Sequence, residues 1–266
     1  MPKLLLSEIH IYPVKSLGGI SVEYAIVEER GLKYDRRYLL VDENNIFMTQ
    51  RDFPQLASLK LSFSELGFRV LNSQDGSHTI IPFESHSKEN ISVTIWDDVC
   101  TAVRVSKEFD NWFSNAVGKN CSLVYMPDDE KRIVEKKYIN EEHIVGFADA
   151  YPFLIIGQSS LDDLNTRLDN PIPMNRFRTN FVFTGGTPYE EDNWKDFKIG
   201  DLSFKAVKPC ARCVITTTNQ DTAERNVEPL KTLSKYRTVN NKVMFGMNLI
   251  CKKMGSISVG NDIQLI

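Results

Sequence analysis

Two thiols, Cys210 and Cys213, flank a guanidinium in the stretch Val207-Lys208-Pro209-Cys210-Ala211-Arg212-Cys213-Val214-Ile215-Thr216-Thr217. A thiolate is the side chain that a soft or high-valent transition metal selects, and Arg212 beside Cys213 would lower the thiol's pKa and hold an anion nearby. Three other readings stand beside this one. A structural zinc needs four ligands, and Cys100, Cys121 and Cys251 are scattered singly. A thioredoxin-like redox pair expects its first cysteine at a helix start, whereas the β-branched residues after Cys213 predict a strand. Two buried, inert cysteines are the third possibility.

Other clusters join an ion or an amide to an apolar run. In Tyr12-Pro13-Val14-Lys15-Ser16-Leu17-Gly18-Gly19, a strand ends at Pro13 and places an ammonium, a hydroxyl and glycine N–H groups where they can converge on an anion. A surface lysine at a strand end is the alternative. Asp35-Arg36-Arg37-Tyr38 should turn one arginine inward, to meet either Asp35 or a phosphate. In Arg176-Phe177-Arg178-Thr179-Asn180-Phe181, strand alternation predicts Arg178 and Asn180 on one face, a fork and an amide suited to a phosphate or a heterocycle edge. Asp149-Ala150-Tyr151-Pro152-Phe153 sets an acid and a phenol before an apolar run, and Phe245-Gly246-Met247-Asn248 adds another amide.

The elements that must position these groups are mostly strands. Runs at 4–12, 20–28, 38–41, 46–49, 56–63, 68–71, 79–82, 91–96 and 100–105 predict an antiparallel sheet or barrel, with a hairpin turn at Asp42-Glu43-Asn44-Asn45. Apolar residues at Phe109, Trp112, Phe113, Ala116 and Val117 predict a helix over 107–117 that stops at Gly118. The charged stretch 128–142 reads as a mobile, solvated loop, and 160–168 as a helix capped by Ser160. Further strands are expected at 181–184, 202–207, 213–217, 243–251 and 257–266, with a short helix near 229–236. The fold class is therefore mostly β with peripheral helices, an α+β chain.

With 266 residues, 42% of them hydrophobic and 25% charged, the chain is an ordinary globular protein with room for one large domain or two modest ones. A net charge of -3 argues against a nucleic-acid partner, so any bound anion should be small and pocketed. Five cysteines without dense spacing fit a reducing compartment, and the short apolar run at the N-terminus predicts neither a signal peptide nor a membrane span. The expected location is cytoplasmic.

Taken together these motifs resemble the MOSC (molybdenum cofactor sulfurase C-terminal) family preceded by the MOSC N-terminal β-barrel domain. The resemblance rests on Tyr-Pro-Val-Lys-Ser-Leu (12–17), Gly-Leu-Lys-Tyr-Asp-Arg-Arg-Tyr (31–38), Thr-Gln-Arg-Asp-Phe-Pro-Gln-Leu (49–56) and Arg-Phe-Arg-Thr-Asn (176–180). It also rests on Tyr-Glu-Glu-Asp-Asn-Trp (189–194), Ile-Gly-Asp (199–201), Pro-Cys-Ala-Arg-Cys (209–213) and Phe-Gly-Met-Asn (245–248). It implies a β-barrel-like domain over 1–120 and a cofactor-binding MOSC barrel over 121–266.

Within the family the chain looks like the mitochondrial amidoxime-reducing components and their bacterial counterparts. That similarity implies an enzyme carrying the molybdenum cofactor (Mo-molybdopterin), a small N-hydroxylated substrate, and a separate electron-transfer protein or reductase. It makes Cys213 the metal ligand and catalytic residue, and leaves Cys210 as a nearby thiol. It carries cofactor binding onto Lys15, Ser16, Arg36, Asp149, Tyr151, Arg178, Asn180, Arg212 and Asn248, with a substrate mouth near Thr49 to Arg51 and Tyr151. The alternative is a MOSC protein that carries sulfur or delivers the cofactor without turnover. One departure concerns shape: where the family pattern has a Thr-Gly turn, Thr222 is followed here by Ala223.

Overall fold

The computed structural model describes residues 3–266. The largest sheet has nine strands, in the order Ile263–Leu265, Asp196–Ile199, Leu202–Ala211, Lys242–Cys251, Phe153–Gly157, Phe181–Thr184, Leu5–Ile11 and Ile20–Val22, with Thr238–Val239 paired onto Lys242–Cys251. Its one parallel pair, Phe153–Gly157 with Phe181–Thr184, needs a crossover, which the Gln158–Asn165 helix supplies. A four-stranded sheet runs Tyr38–Val41, Ser122–Tyr125, Asp98–Arg104, Asn90–Ile95. Two three-stranded sheets complete the described residues: Leu59–Ser64, Gly67–Asn72, His78–Pro82, and Gly255–Ser258, Tyr24–Glu28, Gly31–Leu32. The chain is mostly β with helices at the edges, as its alternation implies.

The ladders cross the division expected at 120/121. Leu5–Ile11 pairs with Phe181–Thr184, Gly255–Ser258 with Tyr24–Glu28, and Ser122–Tyr125 with Tyr38–Val41. One hydrophobic cluster likewise takes in Leu6, Phe68 and Phe113 as well as Phe181, Phe204 and Ile263. Its centre is a set of fully buried rings: Phe153 stacks on Phe181 at 5.7 Å, and Phe197 on Phe204 at 5.9 Å. Each such ring contributes roughly 1.5–3 kcal/mol by leaving water. Polar groups from both ends of the chain are thus brought to one place by a shared core.

The Lys107–Val117 helix forms as its periodicity predicts: Ser106 Oγ accepts from the Phe109 N–H at 3.3 Å, and Gly118 closes it in the left-handed conformation at φ 74°. Several expectations are corrected. The helix expected over 160–168 is Gln158–Asn165 and has no side-chain cap of its own. Ser160 Oγ instead donates to the buried Glu191 carboxylate at 3.0 Å, and that carboxylate also accepts from the Gly157 N–H at 3.2 Å, so an acid from a distant turn closes the helix start. The runs 20–28 and 257–266 each split into two strands that enter different sheets.

The 128–142 stretch is not a solvated loop throughout. Arg132, Val134 and Ile139 are buried while Lys131, Glu135, Lys136 and Lys137 face out, and the backbone pairs through Val134 N–H to His143 O at 2.8 Å and Val145 N–H to Arg132 O at 2.9 Å. Its charge count hid an alternation in which every inward residue has a partner. Ala223 adopts φ 61°, so the backbone keeps the left-handed turn that glycine favours even though a side chain is present.

Candidate functional site

The Leu202–Ala211 strand ends beside Lys242–Cys251, where the Arg212 N–H donates to Val243 O at 2.8 Å. Cys213 follows in an extended conformation, and the chain then turns into a short 3-10 helix at Val214–Thr217, not the strand predicted from its β-branched residues. The reason lies in the hydroxyls. Thr216 Oγ1 donates to Cys213 O at 3.0 Å and Thr217 Oγ1 to Val214 O at 2.8 Å, offering the backbone local partners that outcompete a ladder. The turn aims the Cys213 thiol into a cavity of about 250 Å3.

All ten residues named from the sequence line that cavity: Lys15, Ser16, Arg36, Asp149, Tyr151, Arg178, Asn180, Arg212, Cys213 and Asn248. Three of them, Ser16 (φ 69°), Arg36 (φ 47°) and Arg178 (φ 54°), hold left-handed backbone conformations that cost L-residues energy. Such strain is kept only where the surroundings enforce it. Arg178 is therefore not on a strand face with Asn180, as expected. It closes the Met174–Phe177 turn that follows Pro171 and Pro173, and the strand begins only at Phe181.

Lys15 is buried, against the reading of a surface lysine, and donates to Phe147 O at 2.7 Å and Asp149 Oδ1 at 2.5 Å. The adjoining glycines serve packing and leave the anion to others. The Gly18 N–H is spent on Leu59 O at 2.9 Å, and a Cβ on Gly19 would sit 2.5 Å from the Tyr12 ring. That ring is sandwiched: the guanidinium carbons of Arg36 and Arg178 each lie 4.4 Å from its centroid. Arg36 bonds Asp35 at 2.7 Å, Asn180 Oδ1 at 3.2 Å and Arg178 O at 3.1 Å. Asn180 in turn donates to His10 O at 3.1 Å, so Arg36 and Asn180 brace one another more than they reach outward.

The second arginine of the sandwich is different. Arg178 Nη1 donates to Leu17 O at 2.7 Å while Nη2 is buried without a partner. Burial lowers its pKa to about 10, leaving it a cation at neutral pH. Arg212 does not face Cys213, because adjacent residues of an extended chain point to opposite sides. Its Nη1 donates to Cys210 Sγ at 3.1 Å, its Nη2 to Phe177 O, and its Nε has no partner. Arg51 lines the cavity with Cys213: burial opposes its charge, but the neighbouring Asp149 carboxylate outweighs that and raises its pKa.

Asp149 accepts from Lys15 and, through Oδ2, from Arg51 Nη2 at 2.7 Å. Burial works against its ionised form, yet the two cations hold its carboxyl well below the usual range. Lys15 goes the other way: burial outweighs Asp149 and lowers its pKa to about 8. The signs give a testable pH dependence. Asp149's contribution to stability is fully present above the unfolded carboxyl pKa of about 4 and is lost as pH falls below it. From about 8 up to 10.5 the unfolded chain binds more protons at Lys15, so that residue's contribution rises with pH. Urea midpoints of wild type and Asp149→Asn should accordingly lie apart at neutral pH and draw steadily closer as pH falls below about 4. A gap that does not narrow in acid would refute this account of the pair.

Arg51, Lys208, Phe177 and Thr216 line the cavity and were not named as cofactor contacts. Arg51 sits within a motif that was read only as a mouth, and Lys208 lies inside the cysteine stretch. No periodicity marks either. Tyr151 is buried with its hydroxyl unpartnered, and burial pushes that phenol up to about 12. Asn248 Nδ2 donates to Lys208 O at 3.2 Å.

Four buried donors around this cavity lack partners: Arg51 Nη1, Arg178 Nη2, Arg212 Nε and the Tyr151 hydroxyl. Unpaired buried donors are rare and costly, so four of them on residues that line one space fit a polar ligand there. Among the described residues no group of three or more His, Cys, Asp or Glu side chains could hold a metal, and all five cysteines are free. A metal at Cys213 must therefore bring most of its ligands on its own organic group, which is what a dithiolene-bearing pterin phosphate does. The donor set fits such a group.

Comparison with known proteins agrees with this arrangement. The MOSC N-terminal beta barrel domain model matches residues 3–120 and the MOSC domain model residues 142–264. The chain is 31% identical to a molybdenum cofactor sulfurase of Oryza sativa over 264 residues, covering 92% of this chain and 32% of that one. It spans about a third of the length of the plant sulfurases it matches. It is 30% identical to mitochondrial amidoxime reducing component 2 of Rattus norvegicus over 279 residues and 29% to that of Homo sapiens over 277, covering 97% of this chain and 82% of theirs in both cases. No helix among the described residues is long and apolar enough to cross a membrane. Motifs, cavity and matched models converge on one assignment: the chain belongs to the MOSC family, with a MOSC domain and a MOSC N-terminal β-barrel domain.

Proposed function

We propose that this chain is a molybdenum-cofactor-dependent oxidoreductase that reduces N-hydroxylated compounds at the N–O bond, with Cys213 as the protein's ligand to the metal. The observation that carries the reading is a cavity lined by two partly exposed thiols, of which Cys210 is bonded by Arg212, together with residues that carry four unpartnered buried donors. The bound cofactor supplies two-electron removal of oxygen from the substrate.

The chain's own residues bind and orient. Arg178 and Arg212 offer a guanidinium N–H each, Tyr151 its hydroxyl, and Ser16 and Asn248 further polar atoms, to phosphate and pterin edges. Arg36, Asn180 and Lys15 are held by internal bonds and fix the walls, so they act mainly by positioning the others and by their charge. Tyr151, Phe153 and Phe177 give the cavity aromatic walls. Electrons come from a separate protein or reductase, and five free cysteines suit a reducing, cytoplasmic setting.

A second reading, a sulfur carrier or cofactor-delivery protein, is favoured by one feature: Cys210 lines the same cavity with Arg212 at 3.1 Å from its sulfur. Protein made in a host competent for molybdenum cofactor synthesis separates the two. Stoichiometric molybdenum and pterin, with reduction of benzamidoxime by a chemical reductant, is the expected outcome. Metal-free protein carrying cyanide-labile sulfur would overturn it in favour of the carrier.

A further inference from the structure

Arg51 is fixed from several directions and still has a donor to spare. Its Nη2 donates to Asp149 at 2.7 Å, its backbone N–H to Thr49 Oγ1 at 3.0 Å, and its guanidinium carbon lies 4.6 Å from the Trp96 ring centroid. Next to it, Gln50 is fully buried. Gln50 Nε2 donates to Ser16 O at 2.7 Å and Gln220 Oε1 at 3.1 Å, Gln220 Nε2 returns a bond to Gln50 Oε1 at 3.0 Å, and Arg225 donates to Gln50 O. This reciprocal amide pair ties the segment before Arg51 to the loop after the Cys213 turn.

Trp96 adds an independent observation. It stands at the tip between the Asn90–Ile95 and Asp98–Arg104 strands at φ 55°, a conformation that a bulky aromatic residue rarely adopts. Its indole is 47% exposed, lies 5.0 Å from the Phe47 ring, and donates from Nε1 to Asp149 Oδ1 at 3.3 Å. From this two-residue hairpin turn the indole reaches the Arg51 guanidinium. So much fixation normally serves to satisfy a guanidinium, yet Arg51 Nη1 has no hydrogen-bond partner, and the residue lines the cavity that also holds Cys213.

We infer that Arg51 orients the substrate: its Nη1 N–H donates to the oxygen carried on the substrate nitrogen, with Trp96 and the Gln50–Gln220 pair as positioning residues. The inference rests on the N–O reductase reading above. Lys15, whose bonds go to Phe147 and Asp149, and Arg36, held by Asp35 and Asn180, are less available for this task. Lysine could not replace Arg51, because a single ammonium cannot keep Asp149, lie flat on Trp96 and present a further planar donor at once.

The test compares wild type, R51Q, R51K and Q220A by kcat and KM for benzamidoxime, the inhibition constant of benzamidine, which lacks the oxygen, and molybdenum and pterin content. A charge-assisted bond to the oxygen predicts kcat/KM lower by roughly 10–100-fold in R51Q. Benzamidine inhibition and cofactor content should stay near wild type, with R51K giving only partial rescue. Q220A should lose less, in the same direction. Arg51 would be dismissed if R51Q kept a wild-type kcat/KM, or if benzamidine inhibition weakened in parallel with it. A wild type without molybdenum or without amidoxime turnover would instead remove the reductase reading itself, and this inference with it.

Discussion

Replacing Cys213 by alanine should lower amidoxime reduction by well over about 100-fold, more than the 10–100-fold typical of losing a residue that merely supports a ligand. Among the described residues the cavity offers only one other thiol, Cys210, and that sulfur is engaged by Arg212. The donors proposed to hold phosphate and pterin are untouched by the change, so pterin should be partly retained while molybdenum content falls. Cys210→Ala is the control, and should keep molybdenum and most turnover. A Cys213→Ala protein with full metal content and full activity would end the assignment of the ligand. Loss of turnover in Cys210→Ala alone would exchange the roles of the two sulfurs.

The largest effect on stability is expected from Arg132→Ala, at about 3 kcal/mol. Arg132 is buried, and its guanidinium donates to Gly146 O at 3.1 Å, Ala148 O at 2.5 Å and Asp149 O at 3.2 Å, with Nε on Asp98 at 2.7 Å. Removing it leaves carbonyls in the interior without donors and frees the loop that carries Asp149. Because Asp149 anchors Lys15, the same variant should weaken cofactor retention although Arg132 itself does not line the cavity. Urea denaturation with molybdenum analysis of the same samples checks both parts. A shift of less than about 1 kcal/mol would show that those carbonyls find other partners.

Arg132 also shows how a sequence conceals a supporting role. It lies in a run of charges, Asp128-Asp129-Glu130-Lys131-Arg132, whose composition reads as solvated surface, and only the paired backbone around Val134 and Val145 turns it inward. Arg51 was hidden differently, as a charged residue between turn residues with no apolar period to orient it. Arg178 and Asn180 line one cavity by a different route from the one expected. Strand alternation was expected to align them, whereas a left-handed turn at Arg178 does so. Arg212 and Cys213 were paired by adjacency, although an extended backbone sends neighbours apart and joins Arg212 to Cys210 instead.

What the sequence determined by itself was the fold class, most strand positions, the Lys107–Val117 helix, and the short list of groups able to do chemistry. These depend on local spacing: period two for strands, a capped amphipathic run for the helix, and the scarcity of thiols. The tertiary structure alone decided that Arg212 meets Cys210, which donors are left unpaired, and that Gln50 of the first half is bonded to Gln220 of the second. Such pairings join residues far apart in the chain, set by burial and by competition among hydrogen-bond partners. Neither leaves a periodic trace in the order of the residues.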